Sequence, residues 1–98
     1  MEALEHLRRV LHGRSPTQRT ALRGLLRGSC TAREVAEDTG LSLNAVTIAL
    51  HHLARAGAIH RIKRGKYQVD ESILCIALLD YIEQLERRVR KRHRGSRG

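Results

Sequence analysis

The sequence predicts a mostly α-helical fold carrying one small β-hairpin, and three observations predict it. Hydrophobic residues make up 41% of the chain and aromatics only 2%, with no Trp or Phe, so the core must be built from Leu, Ile, Val and Ala, which suits helix packing. Apolar residues recur at spacings of three and four along several stretches, each closed by Gly or opened by Ser, Thr or Asp. Between residues 59 and 69 that period gives way to alternation around Arg64-Gly65, the pattern of two short strands and a tight turn. Ninety-eight residues suffice for one core and are too few for a second. The expectation is a single domain over 1–92 and a disordered basic tail over 93–98.

The first helix, within 1–13, places Leu4, Leu7 and Leu11 on one side with Ala3 and Val10 beside them, sets Glu5 four residues before Arg9, and stops at Gly13. Ser15-Pro16-Thr17-Gln18 reads as a complete start for the second helix: Ser15 as cap, Pro16 at the first position and Gln18 closing a capping box. Ala21, Leu22, Leu25 and Leu26 give it a buried stripe, and Gly28 ends it. Thr31-Ala32-Arg33-Glu34 is a second capping box, opening a short helix with Val35 and Ala36 inward that breaks at Gly40. Ser42 caps a longer helix over 42–56, with Leu43, Val46, Leu50 and Leu53 as its buried stripe and Gly57 as its stop.

After the hairpin of 59–69, Asp70-Glu71-Ser72 starts a last helix over 71–92, with acids placed favourably for the helix dipole. Its first half, Ile73 to Leu79, is apolar nearly all round and is expected to be buried. From Cys75 a narrower stripe continues through Leu78, Ile82, Leu85 and Val89. Glu83 with Arg87 and Glu86 with Arg90 stand four apart on the exposed side.

The net charge of +9 is unevenly placed: +3 over 1–58, +4 over 59–69, −5 over 70–86 and +7 over 87–98. Two blocks without acids thus hold the excess, which favours a polyanionic partner, nucleic acid first. No apolar run approaches the roughly 20 residues that span a bilayer, and Met1 leads into a charged amphipathic segment unlike a secretory signal. A cytoplasmic location is expected: with the nucleoid, or in a host's cytoplasm for a viral protein.

A capped short helix, a glycine turn, a longer helix and a basic hairpin read in that order as a helix-turn-helix followed by a wing. Thr31-Ala32-Arg33-Glu34-Val35-Ala36, Gly40-Leu41-Ser42, Leu50 and Leu53, Ala56-Gly57-Ala58-Ile59 and the basic turn from Arg61 to Lys66 together resemble the winged helix-turn-helix of prokaryotic and archaeal transcriptional regulators of the ArsR/MarR type. The resemblance implies sequence-specific binding of double-stranded DNA. The residues agree, because a helix enters the major groove when its exposed face carries small or hydrogen-bonding side chains. Ser42, Asn44 and Thr47 can bond bases or phosphates, Ala45 and Ile48 can meet a thymine methyl, and His51 and Arg55 lie further along. Asn44 with Ile48 is the favoured pair for base readout; the plain alternative is a solvated polar face. Arg61, Lys63, Arg64 and Lys66 are expected on the backbone or minor groove, against the alternative of a charged edge that discourages aggregation.

Leu4, Leu7, Leu11, Cys75, Leu78, Ile82, Leu85 and Val89 are expected to form a homodimer seam, which would present two recognition helices to half-sites about one turn apart. Cys75 on that seam reads as a buried thiol or, less favoured, an intersubunit disulfide. The histidines lack chelating spacing, and no nucleophile with a base, no phosphate-binding glycine loop and no paired catalytic carboxylates stand out. The expectation is therefore no cofactor, no metal and no catalysis. Two other functions fit the same sequence: a winged-helix protein-interaction module, and an architectural DNA coat without sequence preference.

Overall fold

The computed structural model describes residues 2–97, with side chains to residue 91. The elements are α1 (Glu2–Leu11), α2 (Pro16–Leu26), α3 (Ala32–Thr39), α4 (Leu43–Ala56), β1 (Ile59–Lys63), β2 (Lys66–Val69) and α5 (Glu71–Arg97). This is the mostly helical winged architecture expected, with a flanking N-terminal helix and a long C-terminal one. Its buried side chains form one cluster, in which Leu7, Val10, Val35, Val46, Leu50, Leu53 and Ile59 are fully enclosed. α4 packs on α2 and α3, and α1 lies against α5.

Capping explains where the helices start. The Thr31 hydroxyl accepts the Glu34 N–H at 3.1 Å, while the Glu34 carboxylate accepts the Thr31 N–H at 3.1 Å and the Cys30 N–H at 3.2 Å. Ser42 Oγ accepts the Ala45 N–H at 3.1 Å, and Asp70 Oδ1 accepts the Ile73 N–H at 3.2 Å. Between the middle helices Gly40 turns the chain at φ +78°, a left-handed conformation that side-chain-bearing residues resist. α2 departs from expectation, since Ser15 makes no side-chain cap bond. Gln18 is drawn away to His6 Nε2 at 2.6 Å and ties α1 to α2 instead of closing a box. Gly24 has a packing reason: a Cβ there would lie 3.1 Å from Val35 Cγ1, so the glycine lets α2 and α3 approach.

The hairpin is antiparallel, with Ile59 opposite Val69, His60 opposite Gln68, Arg61 opposite Tyr67 and Lys63 opposite Lys66, and an irregularity between Arg61 and Lys63. Thr31 bridges to Lys66, and the Tyr67 N–H donates to the Cys30 carbonyl at 2.8 Å. The residues before α3 therefore add a single bridge to the edge of the two-stranded hairpin.

Several sequence expectations need correction. Leu43 and Leu26 are exposed, because the buried stripe of α4 is centred nearer Ala49 and Ala56 and the end of α2 lies at the rim of the core. In the first half of α5 only Leu74 and Ala77 are buried, with Ile73 half-buried, while Cys75, Ile76, Leu78 and Leu79 are exposed. A single helix of 27 residues offers one side to its own chain and spans about 40 Å at 1.5 Å per residue, whereas the molecule is 27 by 19 Å across its shorter axes. Cys75 is thus not a buried thiol. Ion pairs Glu5–Arg9, Glu83–Arg87 and Glu86–Arg90 are not closed; among the described residues the pairs are Arg8–Asp80 and His60–Asp70. Solvated side chains gain little from holding such contacts. Of the tail expected to be disordered over 93–98, residues 93–97 continue α5 despite Gly95, and residue 98 lies outside the described residues.

Candidate nucleic-acid interface

The side of α4 turned from the core carries Asn44, Thr47, Ile48, His51, His52 and Arg55, all exposed. Their hydrogen-bonding capacity is not equal. Ser42 Oγ already accepts the cap bond and keeps its proton to donate. Thr47 Oγ1 donates to the Leu43 carbonyl at 2.8 Å, so only its lone pairs remain. Asn44 makes no hydrogen bond to the described residues and keeps both donor and acceptor for a ligand. Ala45 is half-buried and, with Ile48, Ala49 and His52, lines a groove against Thr17 and Gln18 at the start of α2. The structure therefore groups Asn44, Thr47, Ile48, His51 and Arg55 on one face and turns Ala45 toward its edge. His52 belongs to the same surface and was missed, although its place four residues after Ile48 is a signal the sequence carries.

The four basic side chains of the hairpin are exposed and differ in their surroundings. Arg61 lies over the ring of its cross-strand neighbour Tyr67, 5.8 Å from the centroid. Lys66 faces Glu34, whose carboxyl is held below its ordinary range mainly by the Cys30 and Thr31 hydrogen bonds, with a smaller contribution from the Lys66 charge. Lys63 and Arg64 at the tip have no acid within salt-bridge range among the described residues. Lys63 opposes Lys66 in the ladder, an arrangement of like charges that costs stability unless an anion is present. At the root, Asp70 Oδ2 meets His60 Nε2 at 3.2 Å, and the Ile73 N–H followed by His60 lowers the Asp70 pKa.

The side chains expected at a two-fold seam fall into two groups. Leu7 is fully enclosed in the chain's own core, and Leu4 and Leu11 are half-buried against it. The correction for Leu7 follows from α1 turning its central residue onto α4 and α5, leaving no surface to offer. Cys75, Leu78, Ile82, Leu85 and Val89 are exposed along α5, joined by Leu79, which the spacing had not singled out. Leu11 and Leu78 also line a groove of about 370 Å³ with Leu22, Leu26, Leu74 and Tyr81, between α1, α2 and α5.

A second helix set off by a glycine turn, a basic two-stranded wing clasped to the chain before α3, and a long terminal helix define a winged helix-turn-helix protein. Residues 27–78, more than half of the chain, match the family described as Firmicute plasmid replication protein (RepL), and the chain belongs to that family. The match begins just after α2, runs through α3, α4 and both strands into α5, and leaves out α1 and α2. No curated protein and no solved structure matched the chain. Among the described residues no helix is long and apolar enough to cross a membrane.

Proposed function

We propose that this chain binds double-stranded DNA at a specific sequence, as a homodimer, and acts there in plasmid replication. The observation that carries the reading is the exposed face of α4, where the uncommitted amide of Asn44 stands beside Thr47 and Ile48, next to a wing whose tip cations lack acidic partners. Asn matches the paired donor and acceptor of adenine, and Ile48 suits a thymine methyl. Arg61, Lys63, Arg64 and Lys66 take backbone phosphates and supply affinity without sequence preference. The exposed stripe from Cys75 to Val89 pairs with the same stripe of a second copy. Transcriptional control of the ArsR/MarR kind follows from the same contacts where the site overlaps a promoter. In this reading the chain works by binding and not by catalysis.

The test is selection of bound sequences from random duplex DNA, followed by affinity measurement across salt concentrations. The expected result is an enriched site with two related halves about one helical turn apart. Asn44→Ala is expected to cost about 1–3 kcal/mol at one or two positions, and the triple change R61A/K63A/R64A to reduce the salt slope by about 3. Binding without any enriched sequence would sink the specific reading in favour of an architectural coat. No salt-sensitive binding at all would favour the protein-interaction module, which the apolar groove beside Tyr81 would serve.

A further inference from the structure

Away from the wing, α1 and α5 enclose a cleft of about 600 Å³ lined by Arg8, Arg9, His12, Arg14, Gln84 and Arg88. The parts come from two stretches of the sequence, 8–14 and 84–88, and only the pairing of α1 with α5 brings them together. Arg8 is oriented by Asp80, with Nη2 to Oδ2 at 2.6 Å, and that is the one acid within salt-bridge range of these arginines among the described residues. The guanidinium groups of Arg9, Arg14 and Arg88 make no hydrogen bond or ion pair to the described residues, and all three residues are exposed. They are not needed to cap α1. The carbonyls at its end already accept the loop amides: His12 N–H to Arg8 O at 3.0 Å, Gly13 N–H to Val10 O at 3.1 Å and Arg14 N–H to Arg9 O at 3.2 Å.

The position of the cleft relative to α4 gives it a use. Three residues beyond Arg14, Thr17 lines the groove shared with Ile48 and His52 of α4. The wing lies by the opposite end of α2, where Leu25 and Leu26 line a groove with Ile62 and Tyr67. α2 has 11 residues and is about 16 Å long, so two cationic regions sit at its two ends with the reading helix packed along it. We propose that the arginine cleft is a second phosphate-binding site, taking backbone phosphates of the same duplex beyond the segment that α4 reads. Guanidinium groups suit this role because their forked donors match phosphate oxygens in pairs. Part of the charge that looks like a tail in the sequence thereby becomes part of a built surface, through Arg88.

The proposal rests on the DNA-binding reading, and its test separates the two. The full-length chain and the triple variant R9A/R14A/R88A are compared by fluorescence anisotropy on a duplex of about 30 base pairs across salt concentrations. The expected result is a salt slope smaller by about 2–3 for the variant, at roughly 0.9 per phosphate contact. Restoration of the slope by R9K/R14K/R88K is expected, because lysine keeps the charge. A charge-matched control, R23A/R27A/R87A, is expected to change the slope by less than about 1. If the wild type binds and R9A/R14A/R88A keeps its slope, or if the control loses as much, the cleft is overturned while DNA binding stands. If the wild type fails to bind duplex DNA even at low salt, both readings fall. Circular dichroism of each variant shows that the helices are intact.

Discussion

α4 and α5 both carry apolar residues at helical spacing, and they dispose of them differently. α4 buries Val46, Ala49, Leu50, Leu53 and Ala56 and turns a nearly neutral face to solvent. α5 buries Leu74 and Ala77 and leaves Ile82 50%, Leu79 60% and Val89 64% exposed. The difference is one of reach. α4 lies between α2, α3 and β1, whereas α5 is covered by α1 along one side and outruns the rest of the chain. An apolar stripe therefore reports a core only where another element is long enough to cover it. Where none is, it stays on the surface, and in α5 that is the face assigned to the proposed dimer.

Substitutions in the two helices sharpen this contrast. Leu50→Ala is expected to lower the unfolding free energy by about 2–5 kcal/mol, measured by urea denaturation, because the removed atoms leave a cavity in a closed core. Ile82→Ser is expected to leave the helical signal of the protomer intact and to shift the mass seen by light scattering from two copies to one. Unfolding of the I82S protomer instead would show that α5 is packed within its own chain, and the contrast would be lost. Gly57→Ala tests how firmly the end of α4 is set. Its φ of +87° predicts a loss of about 1–2 kcal/mol, while the added methyl would meet Ala3 Cβ at 3.6 Å without a clash. Thr31→Ala is expected to cost about 1 kcal/mol, a fall in Tm of roughly 4–8 °C for a chain of this size.

The smallest effect concerns acid. The carboxyls of Glu34 and Asp70 are held below their ordinary values of 4.5 and 3.8, so the unfolded chain takes up protons first as pH falls. The stability they contribute is complete above their unfolded values and is lost as pH drops through the lower folded ones. Asp70→Asn is expected to flatten that acid limb without altering stability near neutrality by as much as Leu50→Ala, as followed by thermal melts at successive pH values.

Much of the fold was legible because its signals are local. The Thr31 box, the Ser42 cap and the Gly40 turn each depend on residues within four positions of one another, and each stands where the spacing placed it. What was not legible depends on partners distant in sequence. Gln18 has the right spacing for a capping box but bonds His6, which only the packing of α1 on α2 brings near. The bridge from Thr31 to Lys66 involves too few residues to show a strand pattern. On the candidate interface, the exposed positions of α4 followed from its period, while the half-burial of Ala45 depended on where α2 begins. Burial over Ile73 to Leu79 was overestimated because composition alone does not say how many sides of a helix are covered.

The clasp between Cys30-Thr31 and Lys66-Tyr67 has a consequence for how the molecule opens. Glu34 holds the two amides at the start of α3, and the same short segment grips the beginning of β2, close to the hairpin turn, through its own backbone. The wing cannot peel away without exposing the first turn of α3, and α3 cannot fray from its start without freeing the wing. The two should behave as one cooperative unit in hydrogen exchange, with the amides of Glu34 and Tyr67 becoming labile together. If the wing tip takes a phosphate as proposed, that contact is expected to slow the fraying of the helix beside it as well.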